Sequence, residues 1–233
     1  MNKKLNSSSI KGKHIHMLLP VVILLSVVAV TGLIVAMTAK SAPKVPIVCL
    51  DAGHGGDDVG AIGSGDRYEK DDNLKLTLLV ADKLKADGIK VVLTRSDDTF
   101  ISLQDRCNIA NRKKSTLFVA LHRNSADSGS GVEIWVESTA PEMDMMLAQN
   151  ILDNLDSVGI SKNRGLKTGI ISNKDGDYYV NKNTDMPSCL VEMGFITNDK
   201  DNKLFDEKID KYAAAVTDAI KETLTEISNN NKE

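Results

Sequence analysis

Cysteine is sparse in this chain and poorly placed for cross-linking. Cys49, Cys107 and Cys189 are odd in number, widely spaced and each set in an apolar stretch. That excludes the dense, even-numbered framework of a disulfide scaffold. No two of them stand at CxxC-like spacing, so they read as buried thiols rather than metal ligands. Acidic residues are absent before Asp51, where six lysines (Lys3, Lys4, Lys11, Lys13, Lys40 and Lys44) stand alone. Of 29 basic and 32 acidic residues, the remainder therefore holds 23 basic against 32 acidic, a net charge of −9. An acidic body excludes nucleic acid as a partner, because phosphate recognition needs a clustered positive surface. Internal repeats are also missing. The length of 233 residues allows one single-core domain plus an extra piece, and no second module is expected after the last helix.

The extra piece is N-terminal. Residues 17–37, MLLPVVILLSVVAVTGLIVAM, carry no charge and no polar stripe. About 20 apolar residues suffice to span a bilayer as a helix. The basic flank lies ahead of the run, which predicts a cytoplasmic N-terminus and an exported remainder. The alternative is a cleaved secretory signal, with small residues at Ala39–Ala42, although the run exceeds the usual length of such a signal. Either way the rest is outside. The expected organisation is a basic tail (1–16), a transmembrane anchor (17–37), a linker (38–45), a folded domain (46–228) and a polar tail (229–233).

Within that domain, strand-like runs alternate with helix-like periodicity. Strands are expected at Ile47–Leu50, Ile89–Leu93, Leu117–Leu121, Val132–Val136 and Ser188–Val191. Helical spacing links Leu74, Leu78, Ala81 and Leu84 up to a stop at Gly88, and Met143, Leu147, Ile151 and Leu155 farther on. Ser102 and Asp105 resemble a capping box ahead of Leu103, Cys107 and Ala110. A stripe from Ile209 to Ile227 closes the domain as a long helix. Such alternation predicts an α/β fold, a mostly parallel sheet covered by helices on both faces.

In open sheets of this kind, sites form where loops leave the carboxyl ends of strands. The exported part holds two histidines. His54 follows the first strand in the glycine-rich turn Asp51-Ala52-Gly53-His54-Gly55-Gly56, and His122 ends the Leu117–Leu121 run. Glu192 ends the Ser188–Val191 run. A lone histidine is more often structural, but two at corresponding strand ends read as a ligand pair. A catalytic zinc takes three protein ligands and keeps a fourth position for water. The third ligand should be a carboxylate, and Asp51, Asp57, Asp58, Glu69 and Glu192 all remain candidates.

Four motifs then carry a resemblance. They are the DAGHGG turn, Tyr68-Glu69-Lys70-Asp71-Asp72-Asn73-Leu74, Leu121-His122-Arg123-Asn124, and Glu192-Met193-Gly194-Phe195-Ile196-Thr197-Asn198. In this order they resemble the zinc-dependent N-acetylmuramoyl-L-alanine amidases, over about Val45 to Ile227. Thr94-Arg95, and the run from Leu103 through Arg106 to Ala110-Asn111, are further similarities. The resemblance implies a six-stranded α/β domain, zinc held by His54, Glu69 and His122, and Glu192 as the catalytic base. The reaction implied is cleavage of the amide between the lactyl group of N-acetylmuramic acid and L-alanine in peptidoglycan. Arg123, beside His122, departs from the small or aliphatic residue usual there and is expected to put a positive charge at the cleft edge. Arg95, Asn124 and Arg123 are the candidate substrate contacts, with an ion pair closing the second strand as the plainer role for Arg95.

A zinc peptidase acting on the stem peptide and a silent wall-binding protein are the competing readings. A short anchored amidase without wall-binding repeats resembles the spore-cortex subtype, and activation by a protein partner stays open. Asp199, Asp201, Asp206, Glu207 and Asp210 read as a solvated acidic face. Tyr178 and Tyr179 read either as cleft-flanking residues or as a half-buried strand pair.

Overall fold

The computed structural model describes residues 45–170 and 176–230. The apolar run at 17–37 lies outside the described residues, and among those described no helix is long and apolar enough to cross a membrane.

Among the described residues, eight strands and five helices follow in chain order: β1 (Ile47–Ala52), β2 (Ile62–Gly63), β3 (Arg67–Tyr68), α1 (Glu69–Ala86), β4 (Lys90–Leu93), α2 (Leu103–Arg112), β5 (Leu117–Asn124), β6 (Val132–Val136), α3 (Glu142–Ser157), β7 (Asn163–Thr168), α4 (Tyr179–Asn183), β8 (Ser188–Phe195) and α5 (Asp199–Asn230). Six of the strands form one sheet in the order β4-β1-β5-β8-β6-β7, and β2 and β3 make a separate small hairpin. All neighbours in the large sheet run parallel except β6 and β8. The expected mostly parallel α/β sheet is therefore present.

The central strands are buried on both faces, so they read as continuous apolar runs rather than alternating ones. On one face Val48, Leu50, Leu117, Val119, Leu121 and Val191 pack under α1, α3 and α5. On the other, Cys49, Phe118, Ala120 and Leu190 meet Cys107, Ala110 and Val180 of α2 and α4. All three cysteines are buried free thiols. Burial pushes the Cys107 thiol up to about 11 and holds Cys49 and Cys189 above the ordinary range too.

Local chemistry sets the helix ends. Acidic Glu69, Asp71 and Asp72 open α1 and Lys83 and Lys85 close it, matching the helix dipole. Gly88, at a φ of +77°, lets the chain turn into β4. Ser102 caps α2 by accepting from the Asp105 amide at 3.1 Å.

Several elements differ from expectation. The strand β7 has one large apolar residue, Leu166, and its pairing to β6 makes it a strand without an apolar signature. Helix α5 starts ten residues before its apolar stripe, because the Asn198 side chain accepts from the amides of Lys200 and Asp201 at 3.0 and 3.1 Å. Strands β5 and β8 continue past Leu121 and Val191, so His122 and Glu192 stand opposite each other in the ladder.

The acidic stretch is not wholly a solvated face. Asp201 is buried, accepting from the amides of Gly131 and Phe195 at 2.8 Å each, and Asp206 pairs with Arg67 at 2.7 Å.

Candidate metal and catalytic centre

Three elements deliver the cluster. His54 sits in the turn leaving β1, Glu69 is the first residue of α1, and His122 lies on β5. His54 adopts a left-handed φ of +61°, a conformation that costs a non-glycine residue about 1–3 kcal/mol and persists only where its surroundings impose it. Here they do. Gly55 and Asp58 exchange backbone hydrogen bonds at 2.9 and 3.2 Å, and Arg106 Nη2 donates to the His54 carbonyl at 2.8 Å.

The side chains converge. His54 Nε2 lies 3.3 Å from Glu69 Oε2, and His122 Nδ1 lies 3.0 Å from Glu69 Oε1. The two imidazoles stand edge to face with centroids 5.1 Å apart. One potential ligand atom from each of the three residues falls within 4.8 Å of the others. Asp58 Oδ2 holds His54 Nδ1 at 2.9 Å, which turns Nε2 toward the cluster, the usual way a carboxylate orients a ligand imidazole. Glu69 accepts from Ala61 N at 2.9 Å and from Asn73 Nδ2 and Arg123 N at 3.1 Å each.

Burial alone would raise the Glu69 carboxyl, but the hydrogen bonds from His122 and His54 hold it well below the usual carboxylate range. Burial opposes charge on His54 as well; its hydrogen bonds to Glu69 and Asp58 win and raise it to about 9. Two imidazoles and an ionised carboxylate are the donor set a catalytic zinc uses. The packing leaves room for nothing larger than glycine beside them. A Cβ at Gly53 would come within 2.2 Å of the His122 ring, and one at Gly60 within 2.7 Å of His54 and 2.8 Å of Glu69. The residues present fit a zinc ion.

Glu192 stands next to this cluster without joining it. It pairs in register with His122 on β5 and with Glu133 on β6. Its Oε2 is buried with no hydrogen-bond partner. Burial raises the carboxyl, His122 opposes, Glu69 and Glu133 add to the rise, and the result is about 7. A carboxyl poised near neutrality is suited to taking and returning a proton.

The candidate substrate contacts fare differently. Arg123 does not put a charge at the cleft edge. Adjacent strand residues point to opposite faces, so with His122 facing the site the Arg123 guanidinium is sealed under α1 and α5. There it pairs with Asp72, donates to Asn202 Oδ1 at 2.7 Å and lies 4.3 Å from the centre of the Phe205 ring. Arg95 is buried too, and it neither faces substrate nor closes an ion pair. It donates to the carbonyls of Ala52, Gly53, Lys70 and Asp97, at 2.8–3.0 Å, because three backbone segments end around it. Asn124 lines the cleft, but its Nδ2 is engaged by Glu133 at 2.8 Å and its Oδ1 by Ser125 N at 2.7 Å. Tyr178 and Tyr179 line the cleft at the start of α4 and are not a strand pair.

Sequence reasoning passed over several supporting residues. Asn73 carried a signal, its i,i+4 spacing from Glu69. Glu133 and the clamping role of Arg106 carried none, since each acts across distant elements.

The cluster and Glu192 open into a cleft of about 740 Å³. A family profile described as N-acetylmuramoyl-L-alanine amidase matches residues 48–222. The N-acetylmuramoyl-L-alanine amidase LytC of Bacillus subtilis is 39% identical over 73% of this chain, which spans about a third (34%) of that relative. Among solved structures, an N-acetylmuramoyl-L-alanine amidase from Clostridium difficile 630 superposes with a TM-score of 0.71 at 32% identity, over 78% of this chain and 97% of that one. The CwlD amidase from Clostridioides difficile, solved in complex with the GerS lipoprotein, gives 0.71 at 28% identity, over 77% and 98%. The chain belongs to the N-acetylmuramoyl-L-alanine amidase family.

Proposed function

We propose that the peptidoglycan amide hydrolysis of the N-acetylmuramoyl-L-alanine amidase family, to which this chain belongs, runs here on a zinc site made by His54, Glu69 and His122, with Glu192 as the base. The observation that carries the reading is the convergence of those three ligand atoms within 4.8 Å, beside a buried carboxylate oxygen that nothing else occupies. Zinc held there supplies a Lewis acid for the scissile carbonyl and brings the pKa of water to about 7.

The chain's own residues do the rest. Glu192 accepts the proton of the water that attacks the lactyl carbonyl, a carbon–oxygen bond forms, and the same carboxyl returns the proton to the departing nitrogen of L-alanine as the carbon–nitrogen bond breaks. Asp58 and Asn73 keep the His54 imidazole and the Glu69 carboxylate in place throughout. Burial of Glu192 keeps bulk water from competing for its proton.

The setting is also proposed. The lysine-rich flank and the apolar run at 17–37 support a membrane-anchored chain whose catalytic domain faces the cell wall. A relative solved with a lipoprotein supports a protein activator.

The test is mass analysis of purified muropeptides incubated with the zinc-loaded full chain. The expected products are a free lactyl carboxylate and a peptide with a free L-alanine amine. A cut inside the stem peptide would make the protein a peptidase, and no cut at all would make it a silent binder.

A further inference from the structure

Among the described residues, five large apolar side chains are well exposed, and three of them, Phe100, Leu103 and Tyr179, line the cleft that holds the His54–Glu69–His122 cluster. Single exposed apolar side chains are ordinary, but a convergent set at a cleft marks a binding surface. Their exposures are 55%, 55% and 41%.

The three are held together rather than scattered. Leu103 opens α2 and Tyr179 opens α4, and the two helices are docked. Cys107, one turn after Leu103, lies with Sγ 4.0 Å from the Tyr179 carbonyl, and Asn111 Nδ2 donates to Asn183 O at 3.0 Å. Phe100 is fixed from below by the glycine turn, since a Cβ at Gly56 would meet its amide at 3.0 Å and its Cβ at 3.2 Å. Ile101 extends the wall between Phe100 and Leu103.

We propose that this wall is a platform for the glycan chain, seating the C–H-rich face of a muramyl or neighbouring pyranose ring. The proposal rests on the amidase reading and assigns the two sides of the scissile amide to the two sides of the cleft. The apolar character of the wall favours the sugar over the peptide. Phe100, Ile101, Leu103 and Tyr179 carry no charge, while charged groups of the cleft, Arg106 and Arg123 as well as Asp58 and Asp177, lie beside them. A stem peptide is a run of amides and carboxylates that needs polar partners, which these apolar side chains do not supply, whereas a pyranose ring offers a face of C–H groups. Aromatic rings offer a negative face to polarised C–H groups and a large contact area at small entropic cost. A cleft of about 740 Å³ has room for a sugar beside the reacting amide.

The test measures binding of two probes to the full chain by calorimetry, each apart from turnover. The probes are a peptide-free oligosaccharide of alternating N-acetylglucosamine and N-acetylmuramic acid, and a free stem peptide. The unaltered chain should bind the oligosaccharide, Phe100→Ala/Tyr179→Ala should weaken it about tenfold or more, and Tyr179→Phe should keep it. Both sites are exposed, so folding should be unaffected, and thermal melts would show it. The platform is overturned if the oligosaccharide fails to bind the unaltered chain, if the double variant binds it equally well, or if the double variant loses the stem peptide instead. Failure of the amidase reading is a separate result: the unaltered chain would then release no free L-alanine amino terminus and no lactyl carboxylate from whole peptidoglycan, whatever the oligosaccharide does.

Discussion

Arg106 donates from Nη2 to the carbonyl oxygen of His54 at 2.8 Å, across 52 residues of sequence, and so holds the backbone of a metal-ligand candidate in a left-handed conformation. The same guanidinium reaches Asp51 Oδ1 and the Ala52 carbonyl at 2.7 Å each and the Ile101 carbonyl at 2.9 Å. Lysine has a single nitrogen and cannot reproduce that fork. Arg106→Lys should therefore weaken zinc binding by about 10–100-fold, the usual cost of losing an outer-shell support. Competition against a chelator would measure it. An unchanged affinity would show that the turn holds His54 without the arginine.

The two glutamates should separate cleanly. Glu192→Gln keeps shape and loses the base, so turnover should fall by about 10²–10⁴-fold while zinc content stays near that of the parent. Glu69→Gln, and alanine at His54 or His122, should lose zinc along with activity, because a two-ligand remnant binds weakly. Metal analysis of each purified variant decides the matter. Zinc lost from Glu192→Gln and kept in Glu69→Gln would reverse the two roles.

Asp144 offers a pH test away from the centre. Burial, reinforced by Glu137 and opposed by hydrogen bonds from Ser188, raises this carboxyl to about 6. The folded protein thus holds the proton more tightly than the unfolded chain, whose aspartate titrates near 3.9. Stability from this group is complete below about pH 4 and declines as pH rises through about 6. Asp144→Asn, which stays neutral, should gain on the parent across that window and keep a constant lead above it. Urea midpoints at pH 4 and pH 8 would reveal the difference, and an equal gap at both would mean that Asp144 does not titrate there.

Arg123 should matter to stability. Its guanidinium is sealed between α1 and α5, paired with Asp72 and bonded to Asn202. Arg123→Met should cost about 3 kcal/mol, near the low end for breaking a buried pair, because Arg67 Nε still meets Asp72 at 2.8 Å. Chemical denaturation would read it directly. A loss below about 0.5 kcal/mol would instead match a surface charge.

Much of the fold was legible along the chain, because its main signals are local. Buried parallel strands such as β1 and β5 are continuous apolar runs, α1 and α3 show helical spacing, and Ser102 announces the start of α2. The strand β7 was not legible, since its residues become a strand only by pairing with β6. Position in the chain likewise put His54, His122 and Glu192 at one rim, while the third ligand stayed open among five carboxylates until a family pattern chose Glu69.

Sequence alone therefore settled the α/β class and the family and named the candidate ligand residues, all of which follow from residue type and near-neighbour spacing. Only the tertiary structure decided what each arginine does. Charge and chain position suggest that Arg95 and Arg123 meet substrate, yet strand alternation turns Arg123 into the core and converging backbone carbonyls surround Arg95. Tertiary packing also brought Phe100, Leu103 and Tyr179 to one wall, from segments about 80 residues apart in the chain. Which face a side chain takes depends on pairing and docking between distant segments, and no local pattern encodes that.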